Sequence, residues 1–169
     1  LHYRTYIDTY SPAAPAFTVR LKLADSYHRI GDYPRARVEF ARIFQQRPEL
    51  LENDPNVRFR WAEALLNTGD LEGAEQQFRL LLVTPTAKEL EPHVQLRLGD
   101  VSRLSAEAMG PDEDKAGALR EAMELYHTVW RGEEPARVAE SAFLRLVQTA
   151  DIADVDLVEG VITVRHAKF

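Results

Sequence analysis

The sequence contains no cysteine. That removes disulfides, thiol catalysis and cysteine-ligated zinc, and leaves the compartment undecided. Long apolar runs are missing too: the longest, Leu80 to Val83, has four residues, against about 20 for a membrane-spanning helix. Basic residues are in deficit, 21 against 27 acidic ones, giving a net charge of −6. A general nucleic-acid binder or a polybasic membrane-surface module needs the opposite balance. The chain starts Leu1-His2-Tyr3 with no initiator methionine and no signal-peptide pattern, and is expected to be a piece of a longer protein.

Catalytic patterns are also lacking. The five histidines, His2, His28, His93, His127 and His166, are scattered, and no two stand four residues apart as a helical zinc pair would. Neither phosphate-cradling glycine run is present, nor a G-x-S-x-G elbow. Asp112-Glu113-Asp114 lacks the alternating ligands and glycine of a calcium loop and reads as the acidic start of a helix. No catalytic residue, metal or cofactor is expected, and the chain is not expected to be an enzyme by itself.

What is present is a globular composition, 45% hydrophobic and 28% charged over 169 residues, arranged as a repeat. Gly31-Asp32 and Gly69-Asp70 lie 38 residues apart, each between two stretches of helical apolar spacing. Leu23, Tyr27 and Ile30 precede the first turn, and Tyr33, Ala36, Phe40, Ile43 and Phe44 come after it. Trp61 and Leu65, then Leu71, Ala74, Phe78 and Leu81, repeat the arrangement. Glycine accepts the left-handed conformation at a helix end, and aspartate caps the next helix. Ala24, Ala36, Ala62 and Ala74 sit where paired helices must approach closely.

This spacing resembles the tetratricopeptide repeat. The first copy reads Leu23-Ala24, Tyr27, Gly31, Tyr33, Ala36, Phe40, Pro48, and the second Trp61-Ala62, Leu65, Gly69, Leu71, Ala74, Phe78, with Pro85 one place early. Arg20 and Arg58 stand where the family favours tryptophan, and the glycine of Leu-Gly is alanine in both. A third copy is stretched: Leu98-Gly99 matches the first helix and Ala122, Tyr126 and Pro135 the second. Leu98 and Ala122 are 24 residues apart, where Leu23–Ala36 and Trp61–Ala74 span 13. A longer hairpin whose tip holds Gly110-Pro111 accounts for the difference, and Gly99-Asp100 is rejected as a turn.

The resemblance implies an all-α, right-handed superhelix (α-solenoid) of antiparallel helix hairpins. Its parts would begin with a closing second helix of a preceding repeat over 1–12, with Tyr3, Tyr6, Ile7 and Tyr10 on one stripe. Repeats over 17–50 and 55–88 and an elongated repeat over 89–135 come next. A partial fourth repeat or capping helices would occupy 136–169, opened by Ala139, Ala142, Phe143 and Leu146. For 154–169 the apolar spacing favours helix, while Val161-Ile162-Thr163-Val164 is strand-like by propensity.

By the phase of the family, one column of first-helix positions holds Lys22, Arg60 and Arg97, and a column three residues on holds Asp25, Glu63 and Asp100. These form either a groove with a basic and an acidic track or intrahelical i, i+3 pairs. An acid at the second position disfavours the carboxylate clamp of chaperone-tail repeats. His28, Arg29, Phe59 and Arg103 flank the tracks, with Phe59 either an anchor or a packing residue. The function implied is a protein-interaction scaffold that takes a partner protein or peptide in the concave groove or on the third hairpin. Nucleic acid and membrane insertion are not expected, and the oligomeric state is open. The alternative is a regulatory or docking module of a larger enzyme. The run Tyr6 to Tyr33 is similar in style to repeats of bacterial cell-envelope proteins, which leans the location towards the periplasm.

Overall fold

The computed structural model describes residue 5 and residues 14–110, 114–132, 136–153, 155–158 and 161–164. The expected helix over 1–12, the tip residues 111–113, Pro135, His2 and His166 lie outside these residues. Among the described residues eight α-helices make up the body: α1 (Ala14–Arg29), α2 (Tyr33–Gln46), α3 (Glu49–Asn53), α4 (Pro55–Leu66), α5 (Leu71–Leu82), α6 (Glu91–Ala108), α7 (Lys115–Arg131) and α8 (Ala136–Ala153). A 3₁₀ turn spans Pro85–Leu90. The chain divides into two compact units, Leu1–Ala87 and Lys88–Phe169.

In the first unit α1 packs on α2 and α4 on α5, and α2 also lies against α4. Both turns work as the sequence requires. Gly31 and Gly69 have φ of +78° and +81°, which a residue with a Cβ adopts only at a cost. Asp32 accepts from the Arg35 amide and Asp70 from the Gly73 amide, capping α2 and α5. Asp70 is also gripped by Arg37 of α2, whose other guanidinium nitrogen donates to Thr68 Oγ1 at 3.0 Å. Ala24, Ala36, Ala62 and Ala74 are fully buried, and Phe40 and Phe78 fill the space beyond them. The two arginines at the positions where the resemblance would place tryptophan make polar links. Arg20 lies 3.8 Å from Glu39 of α2, and Arg58 Nε donates to the Leu51 carbonyl.

The second unit is built on the longest helices. α6 has 18 residues and α7 has 17, against 12 each for α4 and α5. Gly99-Asp100 lies inside α6 and makes no turn. Asp114 caps α7 by accepting from the Gly117 amide at 2.8 Å, which accounts for the described end of the acidic run. α8 packs against α7, and its Ala142, Leu146, Ala150 and Ala153 complete a core with Leu96, Ala122, Met123 and Tyr126.

The segment after α8 departs from the expected helix. Val155–Val158 and Val161–Val164 form a two-stranded antiparallel hairpin in which Val155 faces Val164 and Val158 faces Val161. Four of these eight residues are valine and two more, Ile162 and Thr163, are also β-branched. Such side chains lose rotamer freedom in a helix and fit a pleated strand, and that preference overrides the weak helical spacing.

Candidate interaction surface

The basic and acidic columns do not close on themselves within each helix alone. In the first unit Arg60 Nε of α4 meets Asp25 Oδ1 of α1 at 2.9 Å, a contact of charge outside the angles of an aligned hydrogen bond. His28 Nε2, one turn further along α1, lies 2.9 Å from Glu63 Oε2 of α4. The first helix of one hairpin is therefore pinned to the first helix of the next by two polar contacts in register. His28 also stands edge-on to Tyr33, with ring centroids 5.6 Å apart.

The second unit repeats the device in a more buried form. Asp100 Oδ1 accepts from Arg145 Nε of α8 at 2.7 Å and from the Tyr126 hydroxyl of α7 at 2.9 Å, while Oδ2 accepts from Arg97 at 3.1 Å. Arg97–Asp100 is the intrahelical i, i+3 pair expected from the sequence. Arg145 is a residue the sequence pattern did not single out, although it stands in the same phase as Lys22, Arg60 and Arg97: Leu146 comes after it as Trp61 after Arg60 and Leu98 after Arg97. In both units the acid of one first helix thus takes the basic residue of the next.

Tyr126 is fully buried. Burial foremost, and the Asp100 carboxylate beside it, push its hydroxyl far above the ordinary tyrosine range, with Arg103 pulling the other way. The neutral hydroxyl is held as a donor. Its ring rests on α6, where a Cβ added at Gly99 would come 2.5 Å from Tyr126 Cε1. Gly99 and Tyr126, separate signature residues in the sequence pattern, thus form one steric pair.

The remaining residues divide plainly. Phe59 packs edge-on against Phe78 of α5 at 5.7 Å, so its ring serves the hairpin interior. Arg103 pairs with Glu107 on its own helix. Lys22 and Arg29 are exposed on one stripe of α1, two helical turns apart, and make no ion pair among the described residues. Around them Asp25 and Glu63 are already occupied by Arg60 and His28. Among the described residues this face of α1 therefore carries two cations with no acidic partner, on a chain whose net charge is −6. No group of three or more acidic or histidine side chains able to hold a metal ion is found among the described residues, and no described helix is long and apolar enough to cross a membrane.

No protein-family model matches the chain, and comparison with the curated proteins and the solved structures gives no match either.

Proposed function

We propose that the chain is a tetratricopeptide-type helical array that binds another protein, and that the exposed face of α1 takes an acidic segment of that partner. The observation that carries this reading is the pair Lys22 and Arg29. Both are exposed on one stripe, while the acids nearest them are engaged from the neighbouring helix. An acidic segment of a partner meets two cations there, two helical turns apart, without first displacing an internal pair. Arg60, by contrast, already serves Asp25 and is a poorer candidate for direct contact.

The packing of the helix pairs supports the same reading. In the first unit α1 is fastened to α4 through its polar side by Asp25–Arg60 and His28–Glu63, which orders the helix that carries Lys22 and Arg29. A preorganised surface binds at lower entropic cost than a flexible one.

The test uses a glutamate-rich peptide as probe, tracked by NMR on the full chain at low salt. Amide shifts concentrated on α1 and lost in Lys22→Glu with Arg29→Glu support the proposal. Affinity that falls steeply with salt is expected as well, because exposed charges are screened over about 8–10 Å at physiological ionic strength. Shifts that persist in the double variant place binding elsewhere, the third hairpin being the next surface to examine.

A further inference from the structure

The apolar column beside the polar tracks ends unlike it begins. Leu21, Phe59, Leu96 and Leu144 occupy one phase of the four first helices, one residue before Lys22, Arg60, Arg97 and Arg145. Leu21 packs on the first core, Phe59 on Phe78 of α5, and Leu96 is 7% exposed beneath α7. Leu144 is 56% exposed. Three residues on, the column of Ala24, Ala62 and Gly99, small so that a second helix can approach, becomes Val147. Among the described residues α8 has no second helix after it. The short hairpin comes next instead; it touches α8 and leaves Phe143, Leu144 and Ile152 at 40%, 56% and 46% exposure.

The charges along this face say what fits it. Arg137, Leu144 and Asp151 are spaced seven residues apart, two helical turns each, and so lie on one stripe that drifts by only about 20° per step. All three are exposed. Turning a second copy of the helix end for end about Leu144 lays Leu144 on Leu144 and brings each Arg137 to the other copy's Asp151. Ser141 then faces Val147, and Ala136 faces Ile152. The stripe is complementary to itself under a two-fold axis, as an isologous interface requires. Asp151 also has an interaction within its own chain; a carboxylate has about four acceptor sites and can serve both.

We infer that the α8 face is a self-association surface, on which a second copy of this chain docks its own α8 in antiparallel sense with Leu144 at the centre. The second copy supplies the helix that the earlier hairpins provide from within the chain.

Sedimentation equilibrium of the full chain over a wide concentration range tests this. The expected result is a monomer–dimer equilibrium that is lost in Leu144→Glu, with helicity by circular dichroism unchanged because Leu144 is exposed. The register has its own test. Arg137→Asp and Asp151→Arg are each expected to lose the dimer, since like charges then meet across the axis. An equimolar mixture of those two variants is expected to recover it, because each supplies the charge the other lacks. A chain that stays monomeric at its solubility limit overturns the proposal. So does a dimer that survives Leu144→Glu, or a mixture of the two charge variants that stays monomeric.

Discussion

Tyr126 is the side chain on which the second unit turns. It is fully buried, its ring lies on Gly99, and its hydroxyl donates to the buried Asp100 at 2.9 Å. Removing the hydroxyl leaves Asp100 with Arg145 and Arg97 as donors, so the carboxylate is not orphaned. Tyr126→Phe is therefore expected to cost about 1.5–3 kcal/mol at neutral pH, the worth of a hydrogen bond to a charged group. The alkaline behaviour separates this bond from generic packing. The folded protein holds Tyr126 protonated more strongly than the unfolded chain does, and its contribution is complete below the unfolded tyrosine value of about 10. Above that value the unfolded chain gives up a proton that the folded one keeps, so this contribution shrinks as pH rises. Urea melts at neutral pH and above pH ~10 should show the difference between wild type and Tyr126→Phe narrowing. A difference that stays constant would mean the hydroxyl is not the group held neutral.

Among the elements, the two hairpins of the first unit are the most legible in the sequence, for reasons that are local. A positive φ at Gly31 and Gly69 all but demands glycine, and the aspartate after each caps the next helix within a few residues. The alanine columns report close helix approach directly, since Ala36 and Ala74 have no exposed surface. Ala36→Leu and Ala74→Leu are each expected to lower stability by about 1–3 kcal/mol through overpacking. Thermal melts read the change, and neutrality at both positions would contradict the packing described. The β-hairpin of Val155–Val158 and Val161–Val164 is less legible, because four-residue strands are too short for a period of 2 to stand out against one of 3.6. The polar contacts are legible only in part. Spacing within one helix discloses Arg97–Asp100, but Asp25–Arg60, His28–Glu63 and Asp100–Arg145 join different helices. No i, i+3 rule reaches across a turn, and α8 is marked in the sequence by its apolar residues, so Arg145 carries no local signal of its own. Phe59, readable either as an anchor or as a packing residue, needs the position of Phe78 to decide it.

Across the molecule, one rule of pairing occurs in both units at different depths, and depth should set its worth. Asp25 and Arg60 have side chains 30% exposed and share a single contact that is poorly aligned for hydrogen bonding. Pairs in that setting contribute about 0–1 kcal/mol and weaken as salt screens them. Asp100 has a side chain 10% exposed and accepts from three donors on three helices. Replacing it with asparagine removes the charge and turns one acceptor oxygen into a donor that faces other donors. Asp25→Asn is accordingly expected to change stability by under about 1 kcal/mol, with most of the effect gone at high salt. Asp100→Asn should cost about 3–5 kcal/mol, the range for breaking a buried ion pair on one side, and depend little on salt. Chemical denaturation of both variants in urea at low and high sodium chloride makes the comparison. Equal losses would show that the shared register, and not burial, governs these contacts. The expected inequality would make the ion pair between α1 and α4 the weaker, salt-sensitive one and the second unit's cluster a fixed joint. It would also leave the exposed cations of α1 as the charges most readily given over to a partner.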